Sequence, residues 1–123
     1  MNKFTILLID DREENLYSLK LLIEDRFDNL EIMSALNVKD ALLIIMKYEI
    51  DLILSDVQMP EINGFELIEY LRNIEQTKDI PVILITGICD DERFVKQAYN
   101  TGAIEYISKP IDDNLLYSKL RVF

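Results

Sequence analysis

The most informative segment of this chain is Asp51-Leu-Ile-Leu-Ser-Asp56-Val-Gln-Met-Pro60-Glu-Ile-Asn-Gly64. A short apolar run ends here in the carboxylate of Asp56 and continues into a segment that contains Pro60 and Gly64, two residues that favour turns. A carboxylate at the end of a buried strand costs free energy unless it takes part in chemistry. The segment therefore predicts a buried strand that brings one functional acid to the edge of a sheet.

Short apolar runs alternate with longer amphipathic stretches along the whole chain. The predicted strands are Phe4–Ile9, Glu31–Ala35, Asp51–Ser55, Pro81–Ile85 and Glu105–Ser108. The predicted helices are Glu13–Phe27, Val38–Tyr48, Gly64–Arg72, Asp91–Asn100 and Asp113–Val122. This β-then-α rhythm predicts an α/β fold, in which helices cover both faces of a parallel sheet. Strands one, three and four are continuously hydrophobic, as strands buried on both faces should be.

Residues that start or stop helices stand at the predicted boundaries. Asn37 is placed to cap the second helix, with Asp40 in its first turn. The acidic pair Asp112-Asp113 begins the fifth helix in the same way, and Gly102 is placed to end the fourth. These signals support the second, fourth and fifth predicted helices independently of their hydrophobic pattern.

Polar residues close four of the predicted strands. Asp10 and Asp11 close strand one, and Asp56 closes strand three. Thr86 and Lys109 close strands four and five. In a doubly wound sheet the carboxyl ends of the strands border the crevice in which ligands bind. We interpret the three acids, the hydroxyl and the ammonium as a phosphoryl-transfer constellation with Asp56 as the candidate phospho-acceptor.

Three carboxylates at one site require positive charge among them. Unit charges about 4 Å apart interact by about 4 kcal/mol at an effective dielectric constant near 20, so the repulsion is comparable to the stability of a domain. Lys109 supplies one positive charge, and a divalent ion would supply the rest. Mg²⁺ fits because it prefers oxygen ligands and keeps waters that a phosphate can displace. Zinc is implausible because the chain has no histidine and one cysteine.

The composition is that of one globular domain. The chain has 123 residues, of which 50% are hydrophobic, and it contains no apolar run approaching the roughly 20 residues of a membrane span. Met1–Phe4 leads into the first strand without a secretory signal pattern. The lone Cys89 cannot form an internal disulfide, in agreement with a reducing compartment. These features predict a cytoplasmic protein.

Charge and histidine content argue against several functions. The chain has 13 basic and 23 acidic residues and a formal net charge of −10, which opposes direct binding to nucleic acid or to anionic membrane. Without histidine there can be no Ser-His-Asp triad, no histidine-based zinc site and no internal phosphohistidine. If phosphate reaches this domain from a histidine, another domain carries that histidine.

The order and spacing of the polar motifs resemble the receiver domain of two-component response regulators. The likeness runs from strand one to helix five, over Asp10-Asp11, Asp56-Val-Gln-Met-Pro60 with Gly64, Thr86-Gly87, and Tyr106-Ile-Ser-Lys109-Pro110. It implies a flavodoxin-like, doubly wound, five-stranded parallel sheet with strand order 2-1-3-4-5 and five helices. It also implies that Asp56 accepts a phosphoryl group from a phosphohistidine and that a Mg²⁺-dependent switch alters an output surface.

The resemblance further implies roles for individual residues. Asp11 and Asp56 would bind Mg²⁺ through their carboxylates, and the main-chain carbonyl of Gln58 would be a third protein ligand. Asp10 would act mainly through a metal-bound water.

The remaining implied roles are catalytic or conformational. Lys109 would pair with Asp56 and then with the phosphoryl oxygens, and a cis Lys109-Pro110 peptide would aim it inward. Thr86 would donate a hydrogen bond to the phosphoryl group. Tyr106 would be a switch residue, its ring turning inward as Thr86 moves; the alternative is an ordinary half-buried strand aromatic.

The implied partners are a sensor histidine kinase or a histidine phosphotransfer domain, and an output domain that is covalently linked or separate. The implied output surface is the face of helix four, strand five and helix five, with aromatic residues from Phe94, Tyr99, Tyr106 and Tyr117. The last helix runs to the chain end without a cap, so we expect residues 1–123 to be a receiver domain within a longer protein. Such a domain would catalyse only its own phosphorylation and dephosphorylation.

Three other interpretations remain open from sequence. A small Mg²⁺-dependent phosphatase could also use an aspartyl phosphate, although Asp10-Asp11-Arg12 lacks the usual Asp-x-Asp pattern after the first strand. A receiver-like interaction module would have the same fold without being phosphorylated. A nucleotide-binding Rossmann domain is disfavoured because no Gly-rich loop follows strand one.

Overall fold

Ten elements alternate strictly between strand and helix. The computed structural model describes residues 3–87, 92–103 and 105–123, and in the second range the side chains of residues 96, 97 and 99–103. The strands are β1 (Phe4–Ile9), β2 (Leu30–Ala35), β3 (Leu52–Asp56), β4 (Val82–Thr86) and β5 (Glu105–Ser108). The helices are α1 (Glu13–Arg26), α2 (Val38–Lys47), α3 (Gly64–Arg72), α4 (Glu92–Thr101) and α5 (Asp113–Leu120).

The five strands form one parallel sheet in the order β2-β1-β3-β4-β5. The predicted α/β class, the strand order and the five helices are therefore confirmed. From β1 the chain adds β2 on one side of the sheet and then β3, β4 and β5 on the other side. A doubly wound sheet opens a crevice at such a switch point, which here lies between β1 and β3.

Both faces of the sheet are covered, and β1 shows how one strand serves two cores. Leu7 and Ile9 belong to the apolar cluster that includes α2 and α3 residues. Ile6 and Leu8 belong to the cluster on the opposite face, with residues of α1 and α5. Since successive strand residues point to opposite faces, a continuous apolar run fills both layers. The continuous hydrophobicity of β1, β3 and β4 is explained in this way.

Strands β3 and β4 end one residue later than the sequence predicts. Asp56 pairs with Ile85 and Thr86 pairs with Ser108 in the sheet register. The ladder even continues past Asp56, because the Val57 N–H donates to the Ile85 carbonyl at 3.3 Å. Asp56 and Thr86 are thus the last residues of their strands rather than the first residues of loops. This placement fixes their backbones rigidly at the sheet edge.

The helix boundaries follow the capping residues. Asn37 accepts a hydrogen bond from the Asp40 N–H, as predicted for the start of α2. Asp112, predicted as an acid of the first turn of α5, stands directly before the helix and accepts a hydrogen bond from the Leu115 N–H. Gly102 adopts φ +106° directly after α4, a conformation that favours glycine.

Four predicted helix ends were wrong by one or two residues. Helices α1 and α2 each end one residue early because Phe27 and Tyr48 have extended backbone. Helix α5 ends at Leu120, two residues early, while α4 extends one residue further, to Thr101. The predicted start of α4 at Asp91 lies outside the described residues.

Candidate functional site

The ends of β1, β3 and β5 bring charged side chains together at the carboxyl edge of the sheet. The Lys109 Nζ lies 3.3 Å from the Asp56 Oδ2 and 3.4 Å from the Asp10 Oδ2. Asp10, Asp11 and Asp56 each offer a carboxylate oxygen, and these oxygens lie within 4.8 Å of one another. The sequence predicted that Lys109 pairs with Asp56; the structure shows that it is shared with Asp10 as well.

Asp56 is held in an environment that disfavours its charge. Its side chain is 11% exposed, and burial, with a further contribution from the nearby Asp10 carboxylate, raises its pKa above the ordinary aspartate value. The Lys109 ammonium and a hydrogen bond from the Gln58 N–H to Oδ1, at 3.3 Å, oppose this effect. Added positive charge at this site would therefore favour the ionised, nucleophilic form.

Among the described residues, Asp10 has more hydrogen-bond donors than Asp56. Its Oδ1 accepts a hydrogen bond from the Arg12 N–H at 2.9 Å. The Asn15 amide donates to the same carboxylate, with its Nδ2 3.2 Å from Oδ2 and 3.4 Å from Oδ1. Asp11 is exposed beside it. The two adjacent acids thus differ: one is anchored to the start of α1, and the other faces solvent.

The loop from β3 to α3 supports the backbone of Asp56. The Gly64 N–H donates to the Val57 carbonyl at 3.0 Å. A Cβ added to Gly64 would stand 2.6 Å from the Asp56 carbonyl oxygen, so only glycine permits this close approach. A reciprocal capping box between Asn63 and Glu66 fixes the start of α3 directly before this contact.

Thr86 and Lys109 come from neighbouring strands whose ends are tied together. The Thr86 side chain is fully buried, and its carbonyl accepts a hydrogen bond from the Lys109 N–H at 2.8 Å. The Lys109-Pro110 peptide is cis, as expected. Gly87, which follows Thr86, has open space around its Cα: an added Cβ would meet no heavy atom within 4 Å.

Tyr106 lies half-buried on β5 and packs against Tyr99 of α4, with ring centroids 5.9 Å apart in an edge-to-face arrangement. The Tyr99 hydroxyl donates to the Glu105 Oε1 at 3.0 Å, and the same oxygen lies 2.9 Å from the Lys119 Nζ of α5. Burial, together with the Glu105 carboxylate, raises the pKa of Tyr99 to about 12. Tyr106 is therefore next to a polar cluster that joins α4, β5 and α5.

Tyr117 does not supply aromatic surface to this face, as the sequence suggested it could. Its side chain is 4% exposed, and its hydroxyl donates to the Leu22 carbonyl of α1 at 3.0 Å. The Phe27 ring packs edge-to-face against it at 6.1 Å. Tyr117 is thus a contact between α5 and α1. The Phe94 side chain lies outside the described part of the structure.

The acidic cluster fits a hard divalent cation. Three carboxylates whose oxygens approach within 4.8 Å form the all-oxygen donor set that Mg²⁺ prefers. Within the described part of the chain, the Lys109 ammonium shared by Asp10 and Asp56 leaves excess negative charge among them. The Gln58 N–H faces Asp56, which brings the Gln58 backbone to the same site.

The sequence analysis did not predict the contact of Asn15 with Asp10. The signal that could have indicated it was an amide side chain in the first turn of the helix that follows the acidic pair.

Comparison with known proteins agrees with this geometry. The family model described as the response regulator receiver domain matches residues 6–121. The chain therefore belongs to the response regulator receiver domain family, a class of signalling domains of two-component systems.

Relatives of different lengths share this domain. A probable cyclic di-GMP phosphodiesterase of Vibrio cholerae is 33% identical over 120 residues, which are 98% of this chain and 26% of that protein. The polar-differentiation response regulator DivK of Brucella ovis is 34% identical over 110 residues, 87% of this chain and 85% of that protein. This chain spans between a quarter and about half of the first curated relatives it matches.

Solved structures show the same fold. The receiver domain of a DNA-binding response regulator (merR) from Colwellia psychrerythraea aligns with a TM-score of 0.90 and 27% identity, covering 97% of this chain and 96% of that one. Among the helices that the structure describes, none combines the length and hydrophobicity needed to cross a bilayer.

Proposed function

We infer that this chain is a phosphorelay receiver in which Asp56 accepts a phosphoryl group from a phosphohistidine. One observation carries the proposal: the Asp56 carboxylate lies 3.3 Å from the Lys109 ammonium and within 4.8 Å of two further acids at the open edge of the sheet. Phosphoryl transfer needs positioning and charge neutralisation more than acid–base chemistry, and this site offers both. The role also agrees with membership of the receiver family.

In the proposed reaction an Asp56 carboxylate oxygen attacks phosphorus, and the P–N bond of the phosphohistidine breaks. The imidazole of the donor leaves with the bonding electrons and takes a proton from water. Lys109 then moves from its shared position toward the phosphoryl oxygens, while Asp10 keeps its other donors. Hydrolysis of the resulting acyl phosphate returns phosphate and the free carboxylate, so the signal decays.

We assign the Mg²⁺ site to the carboxylates of Asp10, Asp11 and Asp56 and the main-chain carbonyl of Gln58. When bound, Mg²⁺ would supply the positive charge that offsets the oxygens of the transferring group. Asp10 is anchored by the Arg12 N–H and Asn15. It would therefore act on the ion mainly through a water molecule rather than by direct contact.

Thr86 and Tyr106 form the proposed switch. Thr86 ends the strand beside Asp56, so a phosphoryl group on Asp56 would attract its hydroxyl as a hydrogen-bond donor. Tyr106 packs on Tyr99 of α4. A shift of the end of β4 would therefore alter the packing at the face formed by α4, β5 and α5. Phosphorylation adds about −1.5 to −2 charges, enough to bias such a two-state element.

The proposed partners are a histidine kinase or a histidine phosphotransfer domain, because this chain contains no histidine of its own, and an output domain that is linked or separate. We propose that residues 1–123 act as a receiver unit of a longer cytoplasmic protein and catalyse only their own phosphorylation and dephosphorylation. The net charge of −10 argues against direct contact with nucleic acid or anionic membrane.

Incubation with a small acyl phosphate and Mg²⁺ tests this function. We expect one hydroxylamine-labile phosphoryl group per chain, absent after Asp56→Asn and after chelation of the metal, and retained in the exposed control Asp28→Asn. Unchanged labelling of Asp56→Asn would move the acceptor elsewhere. No labelling of the unmodified chain would favour an interaction module, and multiple turnover of a small phosphoester would favour a phosphatase.

A further inference from the structure

Asn15 anchors Asp10 but takes no direct part in the proposed chemistry. It lies in the first turn of α1, is half-buried, and directs its amide at both oxygens of Asp10, at 3.2 and 3.4 Å. The other donors to this carboxylate are a backbone N–H, from Arg12, and the Lys109 ammonium. Asn15 is therefore the one neutral side chain among the described residues that holds Asp10.

The orientation of Asp10 affects its neighbours because Lys109 is shared. The ammonium stands 3.4 Å from the Asp10 Oδ2 and 3.3 Å from the Asp56 Oδ2, which is a balance between two similar contacts. The Asn15 amide satisfies the Asp10 Oδ2 from the side of α1. Without that donor, the Asp10 Oδ2 would rely on Lys109 and draw the ammonium from Asp56, and only Oδ1, held by the Arg12 N–H, would keep a fixed position.

We propose that Asn15 is a positioning residue, which orients the Asp10 carboxylate for divalent-cation binding and leaves Lys109 available to Asp56. The inference rests on the Mg²⁺ site of the proposed function. Outer-sphere hydrogen bonds of this kind orient metal-binding groups, and their loss typically weakens metal affinity by 10- to 100-fold.

Calorimetric titration of the unphosphorylated chain with Mg²⁺ provides the direct test. We expect Asn15→Leu, which keeps the side-chain shape without its donors, to raise the Mg²⁺ dissociation constant about tenfold. Asn15→Gln, which retains an amide, should recover part of the loss. Ser18→Ala, an exposed site on the same helix, should bind Mg²⁺ like the unmodified chain.

A second measurement separates positioning from simple support of the fold. If Asn15 acts through Asp10, Asn15→Leu should shift the Mg²⁺ concentration for half-maximal autophosphorylation about tenfold while the rate at saturating Mg²⁺ is retained. A purely structural contact between β1 and α1 would instead lower the urea unfolding midpoint without changing Mg²⁺ affinity, and that result would overturn the inference.

The failures of the two proposals are distinguishable. Equal or tighter Mg²⁺ binding by Asn15→Leu would overturn the role of Asn15 alone, since phosphorylation of Asp56 would stand. An unmodified chain that binds no Mg²⁺ in the titration would overturn both the proposed metal site and the role of Asn15.

Discussion

At the scale of single residues, Gly64 packs tightly against the end of β3. A Cβ there would stand 2.6 Å from the Asp56 carbonyl oxygen and 3.1 Å from the Val57 Cα, and both are backbone atoms that cannot rotate away. Overpacking of this kind typically costs about 1–3 kcal/mol. Helix propensity alone would predict the opposite sign, because alanine is favoured over glycine inside helices by about 1 kcal/mol.

We therefore expect Gly64→Ala to lower the free energy of unfolding by about 1–3 kcal/mol. Gly87→Ala is the matched control, because its added Cβ meets no heavy atom within 4 Å, and it should stay within about 0.5 kcal/mol of the unmodified chain. Urea denaturation followed by circular dichroism measures both. An unaffected Gly64→Ala variant would show that the β3–α3 loop relaxes easily and does not fix Asp56.

Asp56 itself predicts a pH dependence of defined sign. Its pKa is raised in the folded chain, chiefly by burial, so the folded state binds this proton more tightly than the unfolded state. Between the ordinary aspartate pKa and the raised value, stability therefore falls as pH rises. The free energy of unfolding decreases in this window because the folded state has to keep a buried carboxylate ionised.

In Mg²⁺-free buffer we expect Asp56→Asn to be more stable than the unmodified chain at neutral pH. The difference should shrink as the pH is lowered through the raised pKa of Asp56, because the native carboxyl then becomes neutral too. Urea unfolding at a series of pH values measures this. A difference that is independent of pH, or an Asn variant of lower stability at neutral pH, is incompatible with the assigned electrostatics.

At the scale of elements, one polar cluster joins α4, β5 and α5. Glu105 accepts hydrogen bonds from the Tyr99 hydroxyl and the Tyr106 N–H and pairs with Lys119. Burial opposes ionisation of Glu105, but these three donors together lower its pKa. The carboxylate also contributes, after burial, to the raised pKa of Tyr99. The pKa of Tyr99 therefore depends on the contacts within the proposed output face.

Glu105→Gln should lower the pKa of Tyr99 from about 12, yet leave it above the ordinary tyrosine value because burial remains. Lys119→Met is the matched control: it leaves the Glu105 charge in place, so the pKa of Tyr99 should not fall. The ionised fraction of Tyr99 can be followed by NMR of isotope-labelled tyrosine at alkaline pH values where the fold is intact. A Tyr99 pKa that is the same in Glu105→Gln and the unmodified chain would remove Glu105 as its partner.

At the scale of the whole molecule, the net charge of −10 makes the chain sensitive to cations in two ways. Monovalent salt screens the general repulsion, whereas Mg²⁺ would also bind the acidic cluster. A ligand that binds only the folded state stabilises it by about 2.7 kcal/mol at a hundred times its dissociation constant. The two effects can be separated by ionic strength.

We expect MgCl₂ to raise the unfolding free energy by up to about 2–3 kcal/mol more than NaCl at equal ionic strength. Asp11→Asn should abolish this excess, and Asp28→Asn, a carboxylate outside the cluster, should keep it. Thermal or urea unfolding measures the difference. Equal stabilisation by the two salts would mean that the cluster binds no divalent cation under these conditions.

Much of this architecture could be predicted because it depends on local patterns. Continuous apolar runs identified the buried strands, Asn37 and Asp112 marked helix starts, and the acids and Lys109 were found as residues that close strands. What sequence did not provide were distances between elements. Lys109 is shared between carboxylates 99 and 53 positions away. The spacing of apolar residues along the sequence does not show how a lysine divides its contacts between two such distant carboxylates.

The incorrect predictions have the same cause, because contacts between elements decide those positions. Tyr117 was predicted as a candidate for the output face, but tertiary packing turns it toward α1. The ends of β3 and β4 were misplaced by one residue because ladder hydrogen bonds to neighbouring strands extend them. The roles of all the predicted site residues, Thr86, Gln58 and Tyr106 included, remain predictions, since each concerns a phosphorylated or metal-bound state.

The most direct measurement of the central claim is the position of the phosphoryl group. After labelling with an acyl phosphate and Mg²⁺, borohydride reduction converts an aspartyl phosphate to homoserine, which peptide mass spectrometry locates. We predict homoserine at position 56 and nowhere else, in a yield that falls to background when Mg²⁺ is chelated. Homoserine at position 10 or 11, or a stable phosphoryl group on a hydroxyl side chain, would contradict the account.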